Sequence, residues 1–572
     1  MSNSQKPWLN HYAPGVPANI DVPEGDLTAA LWESAAKFPD RTALNFMGKP
    51  MSYTDLITTI DKAARALERH GVKKGDRVAI ALPNATSHVV AFYAVLRIGA
   101  IVVEHNPLYT QAELIHQLND SGSTYAIFWD KTAAELGESI KQTALKTVFA
   151  VDASRDLPLS KKFLLTLPVK KARETKAALC ATPPAYATSW HDFVAAAGTV
   201  EPTSPVATGS DVAVIQYTGG TTGTPKGAVL THENLVANAT QGVAWTGAHE
   251  RLGTEVVYGV LPFFHAFGLT LCLTYSLRIG ATLMLFPKFD VDSFLSTQKK
   301  HPGTFLPAVP PMLSRLVAKA SERNVDLTSF RYAIAGAMPL PAKTAADWEK
   351  ATGGLVIEGY GMTESSPVAL GNPVSSERKP GFLGLPFPST DVLIVDQDDP
   401  TKVLPFTERG ELLLSGPQVF QGYWEKPEEN AQVLTRINGK TWLRTGDVVT
   451  MDEQGFFKVV DRIKEMIITG GFKVFPSQVE ERMREMPGVE DVAIIGMPGG
   501  DLGELVIAVV VPAQGVEKVT LKEIQDHCDA TLARYALPRK LGFVDELPRS
   551  QVGKVLRRVV KEGVVSREIT VS

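Results

Sequence analysis

A chain of 572 residues is too long for one hydrophobic core, and 44% hydrophobic with 21% charged residues is the make-up of an ordinary globular protein of two to four units. The formal net charge of −4 supplies no basic field, which argues against a nucleic-acid partner. Cys180, Cys272 and Cys528 lie far apart with no CxxC or His-linked metal pattern, which argues against a disulfide framework or zinc site and fits a reducing cytoplasm.

From the N-terminus, where no apolar signal segment is found, helical spacing runs over 28–37 and 53–70. An apolar strand follows at 78–82, closed by Pro83 and Asn84; helix returns over 88–98, and 124–129 and 147–151 read as buried strands. This alternation predicts parallel α/β architecture with helices on both sheet faces. Residues 160–179 interrupt it: Lys161, Lys162, Lys170, Lys171, Arg173 and Lys176 oppose a single Glu174, with Phe163, Leu164, Leu165 and Leu167 between them. Such a patch suits anionic lipid, and Pro168 argues against one long helix.

Strands resume at 212–217, 256–261, 282–286, 332–335 and 355–360. The stretch 256–277 lacks Asp, Glu, Lys and Arg and is long enough to span a bilayer. Gly259, Pro262, His265 and Gly268 punctuate it, so a strand, a turn at Pro262 and a buried helix are expected. After Pro380 the pieces are short and β-rich: 391–395, 410–414, 448–451 and 456–460. The polar run Asp461, Arg462, Lys464, Glu465 reads as a linker, followed by a compact α+β ending with helices at 477–485 and 521–532 and strands at 489–496 and 505–511.

The strongest motif follows the 212–217 strand: Thr218, Gly219, Gly220, Thr221, Thr222, Gly223, Thr224, Pro225, Lys226, Gly227. Glycines let backbone amides close around oxyanions, hydroxyls add donors and Lys226 adds a cation. It departs from the usual NTPase P-loop, because Pro225 precedes the lysine and glycine, not Ser or Thr, follows it.

This loop resembles the signature of the adenylate-forming superfamily of acyl-CoA synthetases, adenylation domains and luciferases. So do, in the same order, Tyr360-Gly-Met-Thr-Glu364, Tyr423-Trp424, Trp442 through Asp447, Asp461 through Glu465, and Gly553-Lys554. The resemblance implies an α/β fold: a large N-terminal domain (1–460) of α/β subdomains plus a β-rich subdomain, a hinge (461–466) and a small mobile α+β C-terminal domain (467–572). It implies that residues 218–226 grip phosphates, with Thr218 and Glu364 serving Mg²⁺, and that Tyr360 stacks on adenine while Thr363 meets the α-phosphate. Asp447, read as following a tight Thr-Gly turn, would take the ribose hydroxyls with Arg462 assisting. Gly336 would admit adenine, although Ala335 stands where the family usually has a second glycine. Lys554 would bridge the attacking carboxylate and the α-phosphate, although Gln551 and Val552 replace a usual small or hydroxyl pair. After rotation about the hinge, Gly471 and Lys473 would serve coenzyme A.

For the acid, the resemblance places His265 as a gate and an aromatic segment around Phe263, Phe264 and Phe267 at the pocket, with Gly268, Leu269, Leu271, Phe305, Leu306 and Val309 beyond. The whole-chain texture resembles bacterial long-chain fatty-acid–CoA ligases: fatty acid, ATP and CoA as substrates, peripheral contact with the inner face of a membrane allowed, and a homodimer allowed. Rival expectations are a ligase for medium-chain or aryl acids, an acyl-AMP ligase that omits CoA, an ATP-hydrolysing motor or transport subunit, and an inactive acyl-binding protein. No insertion interrupts the segment after Met466, which speaks against the CoA-independent rival, and the missing Gly-Lys-Ser/Thr speaks against the motor.

Overall fold

The computed structural model describes residues 6–201, 206–218, 225–247, 251–469, 472–499, 503–529, 532–550 and 553–571. In one sheet Val212–Thr218, Ile101–Glu104, Arg77–Ala81, Tyr125–Trp129, Thr147–Val151 and Ala187–Ser189 run parallel in that spatial order, and Lys226–Thr231 extends it antiparallel beside Val212–Thr218. In a second, Leu355–Gly361, Tyr332–Ala335, Phe305–Ala308, Val256–Gly259, Thr282–Leu285 and Thr42–Phe46 are parallel, with antiparallel strands at both margins. Parallel strands are covered on both faces, so Val78, Ala79, Ile80, Val102 and Val103 follow one another without polar alternation and all are buried.

The helix Thr86–Arg97 is buried on every face, as its mostly apolar sequence requires. It touches Arg77–Ala81 and Ile101–Glu104 of one sheet and Thr42–Phe46 of the other, so both sheets share one core. Tyr53–Arg69 instead buries a stripe that includes Leu56, Ile60, Ala63, Ala64 and Leu67, and starts at Ser52, whose hydroxyl accepts the Asp55 N–H at 3.0 Å.

The long uncharged stretch resolves as expected into the strand Val256–Gly259, a turn at Pro262 and a buried helical run from Ala266 to Arg278. No helix among the described residues is long and apolar enough to cross a membrane. Its middle, Leu269–Thr274, is π-helical, a form that recurs at functional sites. The basic patch folds as two helices, Leu159–Leu165 and Lys170–Leu179, separated around Pro168.

A third, antiparallel sheet corrects the sequence in one respect. Asp447 does not follow a turn; it lies inside the strand Lys440–Met451. Arg444 faces Leu413 while Val448 faces Glu411, so residues 445–447 oppose Leu412 as a bulge, with Gly446 at φ +71°. Phe457–Arg462 pairs with this strand, placing Asp447 opposite Arg462. The first two residues of the expected 461–466 linker are therefore sheet residues.

The C-terminal sheet is Val489–Pro498, Glu504–Pro512 and Lys540–Phe543. Alternation sends Val492 and Ile494 toward Val479, Met483 and Ile524, and Ala493 and Ile495 toward Val560 of the helix Arg557–Val565. That helix and the strand Lys540–Phe543 were not read from the sequence.

At Gly268 an added Cβ would lie 2.1 Å from the Pro262 carbonyl oxygen, a backbone atom that cannot swing aside. Gly268→Ala is expected to cost ~1–3 kcal/mol and to lower the thermal midpoint; an unchanged midpoint would show that the Pro262 turn yields freely.

Candidate active site

The bulge in Lys440–Met451 has a visible cause. The Thr445 hydroxyl donates to Leu412 O at 2.8 Å and accepts the Asp447 N–H at 3.0 Å, while Glu411 accepts the Gly446 N–H at 3.1 Å and Arg444 Nη2 at 2.7 Å. These contacts turn the Asp447 carboxylate, 4% exposed, toward the end of the strand Leu355–Gly361. There the Tyr360 hydroxyl donates to it at 2.5 Å and Arg462 Nε lies 2.8 Å from it. A buried carboxylate without such partners would be costly. Burial first, then Asp447, pushes the Tyr360 phenol well above its ordinary range, and Asp447 raises the Arg462 guanidinium further.

Lys554 faces this group. Burial lowers its ammonium to about 8, the Arg462 charge lowers it too, and Glu465 and Asp447 oppose the change. Its segment is fixed from both sides. The Lys554 N–H donates to the Ser550 hydroxyl at 3.2 Å, and Gly553, at φ +78°, approaches Met338 so closely that a Cβ would lie 3.3 Å from its sulfur. Three residues on, Arg557 forks onto Glu480 at 2.8 Å and also pairs with Glu465.

A second cluster surrounds Glu364, 6% exposed, in the short 3₁₀ turn after Tyr360. The Tyr423 hydroxyl donates to Glu364 at 2.5 Å, and Lys226 Nζ lies 5.3 Å from the Tyr423 ring centre and 3.9 Å from Glu429. Thr363 stands beside Glu364. Thr218 pairs in register with Lys226, so the loop's two ends are adjacent; Gly219, Gly220, Thr221, Thr222, Gly223 and Thr224 lie outside the described residues, as does Gly471.

Behind Tyr360 lies a narrow apolar cavity walled by Gly242, Trp245, Leu271, Tyr275, Phe305 and Gly359. Gly336 lies against Gly359 of the cavity wall: a Cβ there would touch Phe267 at 3.2 Å and Gly359 O at 3.3 Å. Of the residues expected to form an acyl pocket, Leu271 and Phe305 line the cavity, while Gly268, Leu269, Leu306 and Val309 are buried in the core. Trp245, Gly242 and Tyr275 were not anticipated. Trp245 donates to Asn372 O at 2.9 Å and stacks on Phe387 at 4.6 Å; the Tyr275 hydroxyl lies 3.1 Å from that of Thr246 and 3.4 Å from that of Tyr332. His265 caps the helical run, its Nδ1 accepting the Phe267 N–H at 3.3 Å, and burial lowers its imidazole to about 4, so it is neutral near pH 7.

Lys473 is not gathered in. It pairs with Asp398 at 2.9 Å, on a loop of the third sheet.

Comparison with known proteins matches residues 31–424 to the AMP-binding enzyme family and residues 478–554 to the AMP-binding enzyme C-terminal domain. The chain is 39% identical to a long-chain-fatty-acid–CoA ligase of Bacillus subtilis over 98% of both chains, and 33% identical to a feruloyl-CoA synthase of Amycolatopsis sp over 91% of this chain and 96% of that one. Among solved structures, ATP-bound MatB from Rhodopseudomonas palustris, 30% identical, superposes with a TM-score of 0.78 over 95% of this chain and 99% of that one. Apo MatB, at the same identity and coverage, superposes with a TM-score of 0.69.

Since Arg462 helps hold the Lys554 ammonium near 8, Arg462→Gln is expected to raise that value. The pH dependence of competitive acetylation at Lys554, followed by mass spectrometry, reads it directly; a midpoint that stays or falls contradicts this electrostatic account.

Proposed function

This chain belongs to the AMP-binding enzyme family, and from that membership we infer that it is a long-chain fatty-acid–CoA ligase. It condenses a fatty acid with ATP to acyl-AMP and pyrophosphate, then transfers the acyl group to the thiol of coenzyme A and releases AMP. The observation that carries this reading is the placement of the Lys554 ammonium beside the Asp447–Arg462–Tyr360 group, with an apolar cavity directly behind Tyr360.

In the first step a carboxylate approaches a polyanion, so the barrier is largely electrostatic repulsion. Lys554 lies between the two and stabilises the charge that gathers on the α-phosphate and the attacking oxygen. Asp447 takes the ribose hydroxyls; two of the roughly four acceptor sites of a carboxylate serve Arg462 and Tyr360 and the rest remain for the sugar. Tyr360 and Gly336 flank adenine, and Thr363 meets the α-phosphate. Residues 218–224 and Lys226 hold the outer phosphates. His265, neutral near pH 7, gates the acid's carboxylate without repelling the ATP-bound metal.

Mg²⁺ suits this donor set. It takes oxygen ligands, commonly one or two carboxylates with phosphates and water completing the shell, and the buried Glu364 with the Thr218 hydroxyl supplies that kind of partial site. Bound there with ATP, it would neutralise phosphate charge and favour departure of pyrophosphate.

For thioester formation the C-terminal domain, proposed to span 467–572, turns about 461–466 against the 1–460 domain. That movement withdraws Lys554 and brings Gly471 and Lys473 toward the adenylate. The pairing of Lys473 with Asp398 while Lys554 faces Asp447 and Arg462 supports assigning the present arrangement to the first step. The proposal includes a cytoplasmic location, which the three free cysteines support, and peripheral contact with the inner face of a membrane, where long-chain acids dissolve. A homodimer is compatible with it but not required, since every group named belongs to one chain.

Each methylene entering the cavity contributes ~0.8 kcal/mol, so specificity should climb with chain length, whereas an aryl acid would gain little from added alkyl carbons. Pyrophosphate release should rise from acetate to oleate, and Lys554→Ala should depress it by about 10²-fold or more while sparing thioester formation from supplied acyl-AMP. A maximum at cinnamate-type acids would favour the aryl reading; equal loss of both half-reactions would remove Lys554 from its role.

A further inference from the structure

Large apolar side chains stand in water between residues 159 and 169: Leu159 is 83% exposed, Phe163 67%, Leu164 54% and Val169 50%. They belong to the helices Leu159–Leu165 and Lys170–Leu179 and their connection, which pack on each other. The pair is moored to the body at its base. Leu179 is buried and its carbonyl accepts the Trp129 indole N–H at 2.8 Å, while Leu165 rests against the main core. An exposed apolar cluster of this kind marks an interaction site.

The charge around it is one-sided. Six cations, Lys161, Lys162, Lys170, Lys171, Arg173 and Lys176, face the lone Glu174, which lies 3.8 Å from Lys170, in a chain whose total is −4. The basic surface spreads beyond the two helices, because Lys300 faces Lys161 and Lys49 faces Lys162, whereas Arg155, also near Lys162, is paired with Asp192 at 2.8 Å. Asp152 and Asp156 also face Lys162, but both are engaged elsewhere: Asp156 by the Ser87 N–H at 2.8 Å and His191 at 3.2 Å, Asp152 by the Ser154 N–H at 2.9 Å.

An anionic bilayer answers both properties at once. Apolar side chains enter the acyl boundary while lysine stems reach up to the phosphates, and stable peripheral binding needs two such signals. A nucleic acid would use the lysines and leave Leu159, Phe163 and Leu164 in water.

We propose that the helical pair 159–179 docks the enzyme on anionic phospholipid, with Leu159, Phe163 and Leu164 inserted and the surrounding lysines on the headgroups. This rests on the membrane contact included in the function above and gives it a place. None of these residues belongs to the active site.

The test is co-sedimentation of the full chain with phosphatidylglycerol–phosphatidylcholine vesicles and with pure phosphatidylcholine. Wild type should bind the anionic vesicles at least tenfold more tightly. Leu159→Ser/Phe163→Ser/Leu164→Ser and Lys161→Glu/Lys162→Glu/Lys170→Glu/Lys171→Glu should each lose at least tenfold, with kcat/KM for octanoate, assayed without lipid, within twofold of wild type. Independently of any loss of binding, the indole added by Phe163→Trp should be quenched by brominated anionic lipid. Wild type that ignores the anionic vesicles refutes membrane contact itself. Wild type that binds while the triple Ser variant binds equally, or an added indole that stays unquenched, refutes the assignment to 159–179. Wild type that prefers single-stranded RNA to vesicles replaces it with a nucleic-acid contact.

Discussion

A carboxylate almost wholly withdrawn from water has to be compensated on the spot, and the Asp447 carboxylate is met by Arg462 from the neighbouring strand and by Tyr360 from a different sheet. That requirement ties three elements together. It demands the bulge at 445–447, which Glu411 and Thr445 hold in shape, and it ends the strand Leu355–Gly361 where Tyr360 can reach across. It also sets the field for what arrives next. Asp447 raises the Arg462 guanidinium further above its already high value, and that cation, together with burial, keeps Lys554 near 8. Lys554 can sit beside a second cation because Glu465 and Asp447 offset the repulsion and Arg557 anchors its segment on Glu465 and Glu480.

The other half of the chemistry concerns a substrate that water rejects. The cavity behind Tyr360 is apolar, and the hydroxyls it does present, Thr246 and Tyr275, are paired with each other and onward to Tyr332. At Gly336 an added Cβ would lie 3.2 Å from the Phe267 ring and 3.3 Å from Gly359 O, so a side chain there would require Phe267 to shift by a few tenths of an ångström. The apolar cavity near the charged group and the apolar, lysine-flanked pair of helices on the outer surface both fit the lipid substrate proposed above.

Much of this was legible in the sequence, for physical reasons that differ from place to place. Parallel strands with unbroken apolar runs, such as Ile101–Glu104 and Tyr332–Ala335, announce two-sided burial. The break near Pro168 and the turn at Pro262 follow from ring geometry. Asp447 was found but its setting was not: Thr-Gly-Asp reads equally as a turn or a bulge, and only the register against Leu412 and Arg462 decides. Trp245, Gly242 and Tyr275 carry no signal, because an apolar residue facing a cavity has the same spacing as one facing the core. Lys540–Phe543 was missed because four residues with a glycine inside are too short for a period to register. Lys473 keeps its place in the motif order yet lies at Asp398, a pairing between groups 75 residues apart that no local spacing announces.

With the Lys554 segment against Met338, the present arrangement is proposed to perform only the first of two steps. Met338→Cys with Gly553→Cys in a Cys180→Ser background puts one thiol on each side of this contact, where a Cβ on Gly553 would lie 3.3 Å from the Met338 sulfur, at the cost of a side chain at φ +78°. Once they are joined by oxidation or a short cross-linker, single-turnover chemistry reads the answer. The locked enzyme is expected to make acyl-AMP from a long-chain acid and ATP, then to hold it without producing acyl-CoA until reduction frees the domain. Acyl-CoA formation by the locked enzyme at the rate of the reduced one would contradict it.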